Sequence, residues 1–178
     1  MLGIHQGNLR ICEHNQDQFK DIKAVTGYVY IHASCTLDSL IRVDKYLVIV
    51  NDSEDLIKVN LPSLESTGRS FSLQGLSKVN APRLKEVGID LRIESECTLP
   101  SLVLVQGNIR AYKNCVLPSL VLVEGSIRIY DGAEVIAPEL VTVNKTLYIP
   151  DEGEIIAPKI KSHNLALTIP IKTTKQRR

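Results

Sequence analysis

The chain has 178 residues, with 21 basic and 20 acidic side chains and a formal net charge of +1. That length predicts a single domain with a sizeable core, and the balanced charge argues against both an acidic nucleic-acid mimic and a broadly basic nucleic-acid binder. Aromatic residues are 4% of the chain and Trp is absent, so the core has to be built from aliphatic side chains.

In chain order, nine pairs of mostly apolar residues each bracket one residue: Leu9/Ile11, Val29/Ile31, Leu47/Ile49, Phe71/Leu73, Leu91/Ile93, Ile109/Ala111, Ile127/Ile129, Leu147/Ile149 and Leu167/Ile169. The steps between them are 20, 18, 24, 20, 18, 18, 20 and 20 residues. Each pair alternates with period two and predicts a short strand. Between pairs comes a second element, Leu-Pro or Ala-Pro, at Leu61-Pro62, Ala81-Pro82, Leu99-Pro100, Leu117-Pro118, Ala137-Pro138 and Ala157-Pro158. Leu37–Leu40 and Phe19–Ile22 take its place in the first two copies. Proline lacks an N–H and would break a helix, but a corner tolerates it. The extra residues around Asn51–Asn60 are expected to bulge as a loop.

A period of 18 to 24 residues is that of a solenoid, in which neighbouring coils bury each other's apolar side. The expectation is an all-β, single-domain β-solenoid over residues 1–170, of about nine coils, with a basic, disordered tail over 171–178. The combined pattern L-P-x-L-x-x-V-x-G-x-L-x-I resembles the receptor L domain of insulin- and growth-factor-type receptors and its fungal cell-wall relatives. That resemblance implies a right-handed β-helix with leucine-rich-repeat-like coils, used for binding. A rival rhythm of six residues runs from Val87 through Ile93, Leu99, Val105, Ala111, Leu117 and Val123 to Ile129. It is the rhythm of hexapeptide left-handed β-helices, many of them acyltransferases, and would make His32 or His163 the candidate general base. Coils of 20 and 24 residues interrupt it.

No segment reaches 18 consecutive apolar residues, so no membrane span is expected. Met1–His5 lacks the basic and apolar regions of a secretory leader. The four cysteines lack CxxC spacing, and a reduced, cytoplasmic setting is the expectation. The sequon Asn144-Lys145-Thr146 then reads as a chance match. Cys35, Cys97 and Cys115 occupy one place in their coils and are expected to fill a core column as thiols, although stacked Cys97 and Cys115 could in principle be bridged.

Alternation also assigns three outward columns to the main sheet. The central one reads Arg10, Tyr30, Val48, Ser72, Arg92, Arg110, Arg128, Tyr148, Thr168. The column before it carries Tyr28, Tyr46, Asp90 and Asn108, and the one after it His32, Glu94, Tyr112 and Tyr130. Tyr and Arg are the residues that most often anchor interfaces. The candidate partner-binding residues are therefore Arg92, Arg110, Arg128, Tyr112, Tyr130, Tyr148, Tyr28, Tyr30 and Tyr46. The blander account is that tyrosines favour exposed strands and arginines stack over them. No cofactor or metal site is expected, because no phosphate loop, nucleophile elbow or Cys/His cluster is present. The expected role is a non-enzymatic adaptor or inhibitor of the kind phages and mobile elements encode, docking on a protein. Nucleic acid held by the arginine ladder is the alternative, and the thinly capped N-terminal end suggests end-to-end dimerisation.

Overall fold

A computed structural model describes residues 3–130 and 132–161, together with the strand Ala166–Thr168. The chain is an all-β solenoid of about eight turns in which every strand pairing is parallel. The front sheet has nine strands, here called rungs one to nine: Leu9–Ile11, Val29–Ile31, Leu47–Val50, Phe71–Gln74, Leu91–Ile93, Ile109–Ala111, Ile127–Ile129, Thr146–Tyr148 and Ala166–Thr168. An eight-stranded back sheet runs from Ile4–His5 to Thr142–Val143. Nine rungs thus close about eight turns rather than the nine coils counted from the pairs. His163, Ile169, Pro170 and the tail lie outside the described residues. Helical structure among the described residues is limited to the 3-10 turn Gln16–Phe19, and no helix is long and apolar enough to cross a membrane.

The bracketing pairs form the core because the strand turns alternate side chains inward. From Leu9/Ile11 to Ile127/Ile129 both members of every pair are buried, and the register stacks them in columns, with Leu47 on Phe71 on Leu91 on Ile109. The Leu/Ala-Pro element is a corner. Leu64, Leu84, Leu102 and Leu120 each donate an amide to the carbonyl three residues back, at 3.2–3.3 Å. Pro sits second in that turn, where its fixed φ is favourable. Leu37–Leu40 closes the same turn with Asp38 in the proline place.

One residue disturbs an otherwise aliphatic column. The back sheet stacks Val25, Val43, Thr67, Val87, Val105, Val123 and Val143, and the Thr67 hydroxyl is buried with no hydrogen-bond partner. Thr67→Val keeps the shape and removes that desolvated group, so it should raise stability by about 1 kcal/mol. Thermal unfolding should show a gain of about 2–4 °C; a lower Tm would mean the hydroxyl is satisfied in solution.

The third side is split, with Cys35–Thr36, Ile57–Asn60 and Ser77–Asn80 in one sheet and Cys97–Thr98, Cys115–Val116, Glu134–Ile136 and Glu154–Ile156 in another. From the front pair to the corner the chain advances eight positions from Leu73 to Ala81 and six from Ile93 to Leu99, a mismatch that Cys115–Val116 and Glu134–Ile136 also carry but span as a paired ladder. Among the described residues no backbone hydrogen bond joins 75–81 to 94–99, whereas Leu61 N donates to Asn80 O (2.8 Å) on one side and Leu99 N to Val116 O (3.0 Å) on the other. The Ser77 and Ser95 hydroxyls, 3.1 Å apart, bridge the gap instead. The insertion does bulge as a loop and leaves the front register intact, Leu47 opposite Phe71. Asn51 pins it: its Nδ2 donates to Asp55 O and Leu76 O, both at 2.6 Å, and its Oδ1 accepts from Ser53 N at 3.0 Å.

Candidate docking face

The front sheet places Arg10, Tyr30, Val48, Ser72, Arg92, Arg110, Arg128, Tyr148 and Thr168 in one register column. Arg92, Arg110 and Arg128 are on three consecutive rungs, about 4.8 Å apart, and their mutual repulsion is relieved locally. Arg110 Nη1 lies 3.1 Å from Asp90 Oδ2, and Arg92 pairs with Glu94 two residues on. Arg92 also lies over the Tyr112 ring, 5.3 Å from its centroid. Tyr112 and Tyr130 stack at 3.8 Å with 10° between planes. Hydrogen bonding between the two phenols holds Tyr112 above and Tyr130 below the usual range, with Arg128 adding to the second shift.

A second aromatic group covers rungs two and three. Tyr28 and Tyr46 stack at 5.2 Å, Tyr30 lies 6.3 Å from Tyr28, and His32 stacks beside Tyr30 at 6.5 Å. Cations cap this group as well: Lys45 Nζ is 5.3 Å from the Tyr28 centroid and the Arg69 guanidinium 5.7 Å from that of Tyr46. The nine candidate residues therefore form two clusters and one outlier. Tyr148 sits alone on rung eight, 36% exposed. The clusters, on rungs three and five at their nearest, are separated by about 10 Å of sheet, with Ser70, Ser72 and Gln74 on the rung between them.

The column before the pairs is not the free surface that alternation predicts. Tyr28 and Tyr46 apart, its short polar side chains turn along the solenoid and accept from the next rung: Asn8 Oδ1 from Tyr28 N (3.0 Å), Asp90 Oδ1 from Asn108 N (2.9 Å), Asn108 Oδ1 from Ser126 N (2.9 Å) and Ser126 Oγ from Thr146 N (3.2 Å). These amides fall at the corner, where the backbone ladder leaves them without a carbonyl, and a short polar side chain satisfies them. Ser72 and Pro150 are likewise buried rather than presented. Asp90 has the most partners, accepting from Asn108 N and Nδ2 and from Arg110. Asp90→Ala should cost about 2 kcal/mol and lower Tm by about 4–8 °C, while Asp90→Asn, which keeps an acceptor for Asn108 N, should lose less than half of that. Equal Tm values for the two variants would dismiss the ladder as a stabilising element.

No family model matches the chain. No curated protein matches it, and no solved structure does either. The β-solenoid with parallel sheets accordingly rests on the register itself.

Cys97 and Cys115 are registered partners on the third side and both are free thiols, as are Cys12 and Cys35. Burial pushes Cys97 up to about 12 and Cys35 to about 11, and raises Cys115 well above the usual thiol range. Such thiols stay protonated and unreactive at neutral pH. Two surfaces escaped the sequence reading. Val103 and Val121, 43% and 40% exposed, lie beside half-buried Leu104 and Leu122 on the back sheet. The signal was the unbroken apolar runs Leu102–Val105 and Leu120–Val123, since a strand with one wet face should alternate. The second is a hollow of about 740 Å³ beside His32 and Val50, edged by Glu13, Asp52 and Asp55. Its signal was the acidic run Asp52, Glu54, Asp55 within the insertion.

Proposed function

We propose that this chain is a non-enzymatic docking module, an adaptor or an inhibitor, that engages a protein partner through the Tyr/Arg clusters of its front sheet in a cytoplasmic setting. The observation that carries the reading is the in-register row Arg92, Arg110, Arg128 beside the stacked Tyr112 and Tyr130. Interleaved rings and guanidinium groups on a rigid sheet lose little side-chain entropy on binding, which favours such residues as anchors. Right-handed winding of the kind found in receptor L domains, the preferred hand for parallel crossovers, fits the same role. The front sheet is about 38 Å long and three residues, about 10 Å, wide. That is roughly half of a standard partner footprint of about 800 Å², so a globular partner must also grip the flanking corners.

Affinity capture from lysate tests the reading, comparing the wild-type chain with the variant Arg92→Glu, Arg110→Glu, Arg128→Glu. A partner retained at full strength by the variant rejects the front sheet as the docking surface. Repeating the capture across salt concentrations separates protein from nucleic acid, because phosphate contacts release counterions and give a steep slope.

A further inference from the structure

We propose that a second copy of this chain occupies the front sheet, the two sheets packing face to face with their solenoid axes antiparallel. The inference rests on reading the front sheet as a docking surface and names one occupant for it.

Symmetry and charge select the arrangement. Two like sheets can pack about a twofold axis along the solenoid or along the strands. The first sets every rung opposite its own copy and brings Arg92, Arg110 and Arg128 against themselves, at a sheet separation of about 10 Å. The second reverses rung order and keeps the columns aligned. With the axis between rungs four and five, rung seven meets rung two and rung six meets rung three. Arg128 then faces Tyr30, which is 39% exposed, in position for a cation–π contact. Tyr130 faces His32, Tyr112 faces Val50, Arg110 faces Val48 and Arg92 faces Ser72, so no arginine of the row meets another cation. The edges match too. Lys113 follows Tyr112 at one edge, and the acidic loop with Asp52 and Asp55 follows Val50 at the same edge of the opposing rung; all three are exposed.

Eight facing rungs and five residue positions across give a footprint of about 34 Å by about 16 Å, on the order of 500 Å² per copy. That total lies at the lower bound for a specific interface and predicts a weak dimer, half dissociated on the order of 100 µM. Self-association and partner docking then compete for one surface.

Sedimentation of the full chain from about 5 to about 500 µM reads the dissociation constant directly. Lys113→Glu and Asp52→Lys should each weaken the dimer about tenfold, and the double variant should restore it, as should mixing the two single variants. A wild-type chain that stays monomeric over the range overturns the proposal. So does a dimer that survives both single reversals, which would place the contact elsewhere, for instance at the solenoid ends. Neither substitution touches the arginine row. A monomeric wild type that still captures a partner, and loses it on reversal of the three arginines, would leave the docking reading standing and remove only this occupant.

Discussion

The chain carrying Arg92→Glu, Arg110→Glu and Arg128→Glu is expected to lose at least about 100-fold in partner affinity, roughly 3 kcal/mol, while keeping its strand content. Each reversal withdraws a cation from the row proposed to dock and adds an anion, and a mismatched charge at an interface costs on the order of 1 kcal/mol or more. The fold should pay a smaller amount. Arg110 would place a carboxylate beside Asp90, now 3.1 Å from the guanidinium, and Arg92 one beside Glu94. Both pairs are partly exposed, so each repulsion is worth about 1 kcal/mol or less, a Tm loss of a few degrees. The row Arg92→Gln, Arg110→Gln, Arg128→Gln separates the two effects, because it deletes the cations without setting like charges together. Binding measured by calorimetry should fall for both variants and Tm chiefly for the first. Loss of binding only in step with loss of Tm would trace the defect to unfolding rather than to the surface.

Strand periodicity made the front sheet legible because inward alternation is forced once a coil stacks on its neighbour. Arg92, Arg110 and Arg128 share a register column for the same reason: the two 18-residue steps bring them into line. The Leu-Pro corner was also readable, since Pro in a three-residue-back turn leaves a local chemical mark. What stayed hidden depends on how neighbouring coils meet rather than on residue type. The open ladder between Ser77–Asn80 and Cys97–Thr98, bridged by the Ser77 and Ser95 hydroxyls, left no mark in the residue types of those strands. Likewise Asp90 and Asn108 look like outward polar residues, and only the corner geometry, which strands the amides of Asn108 and Ser126, turns them inward along the axis. The acidic loop and the Val103/Val121 patch left plain traces in composition, but a search for alternating pairs passes over both.

Gly75→Ala is expected to be the most damaging single substitution to the fold, costing about 3–4 kcal/mol through two separable terms. Gly75 adopts φ +71, a left-handed conformation that costs a residue with a Cβ about 1 kcal/mol. The new Cβ would also sit 2.0 Å from the Asn51 carbonyl oxygen, and backbone cannot yield as a side-chain tip does. Relief requires lifting the 51–56 loop, which strains the Asn51 Nδ2 bonds to Asp55 O and Leu76 O; losing buried bonds of that kind costs about 1–3 kcal/mol. Gly132 supplies the control. It has nearly the same conformation, φ +75, with nothing within 4 Å of the built Cβ, so Gly132→Ala should show the conformational term alone, about 1 kcal/mol. Denaturant unfolding of the two variants therefore measures the difference between a strained corner and a strained corner closed by a loop. Equal losses would mean that the insertion moves aside freely and that the Asn51 bonds to Asp55 O and Leu76 O do little to hold it.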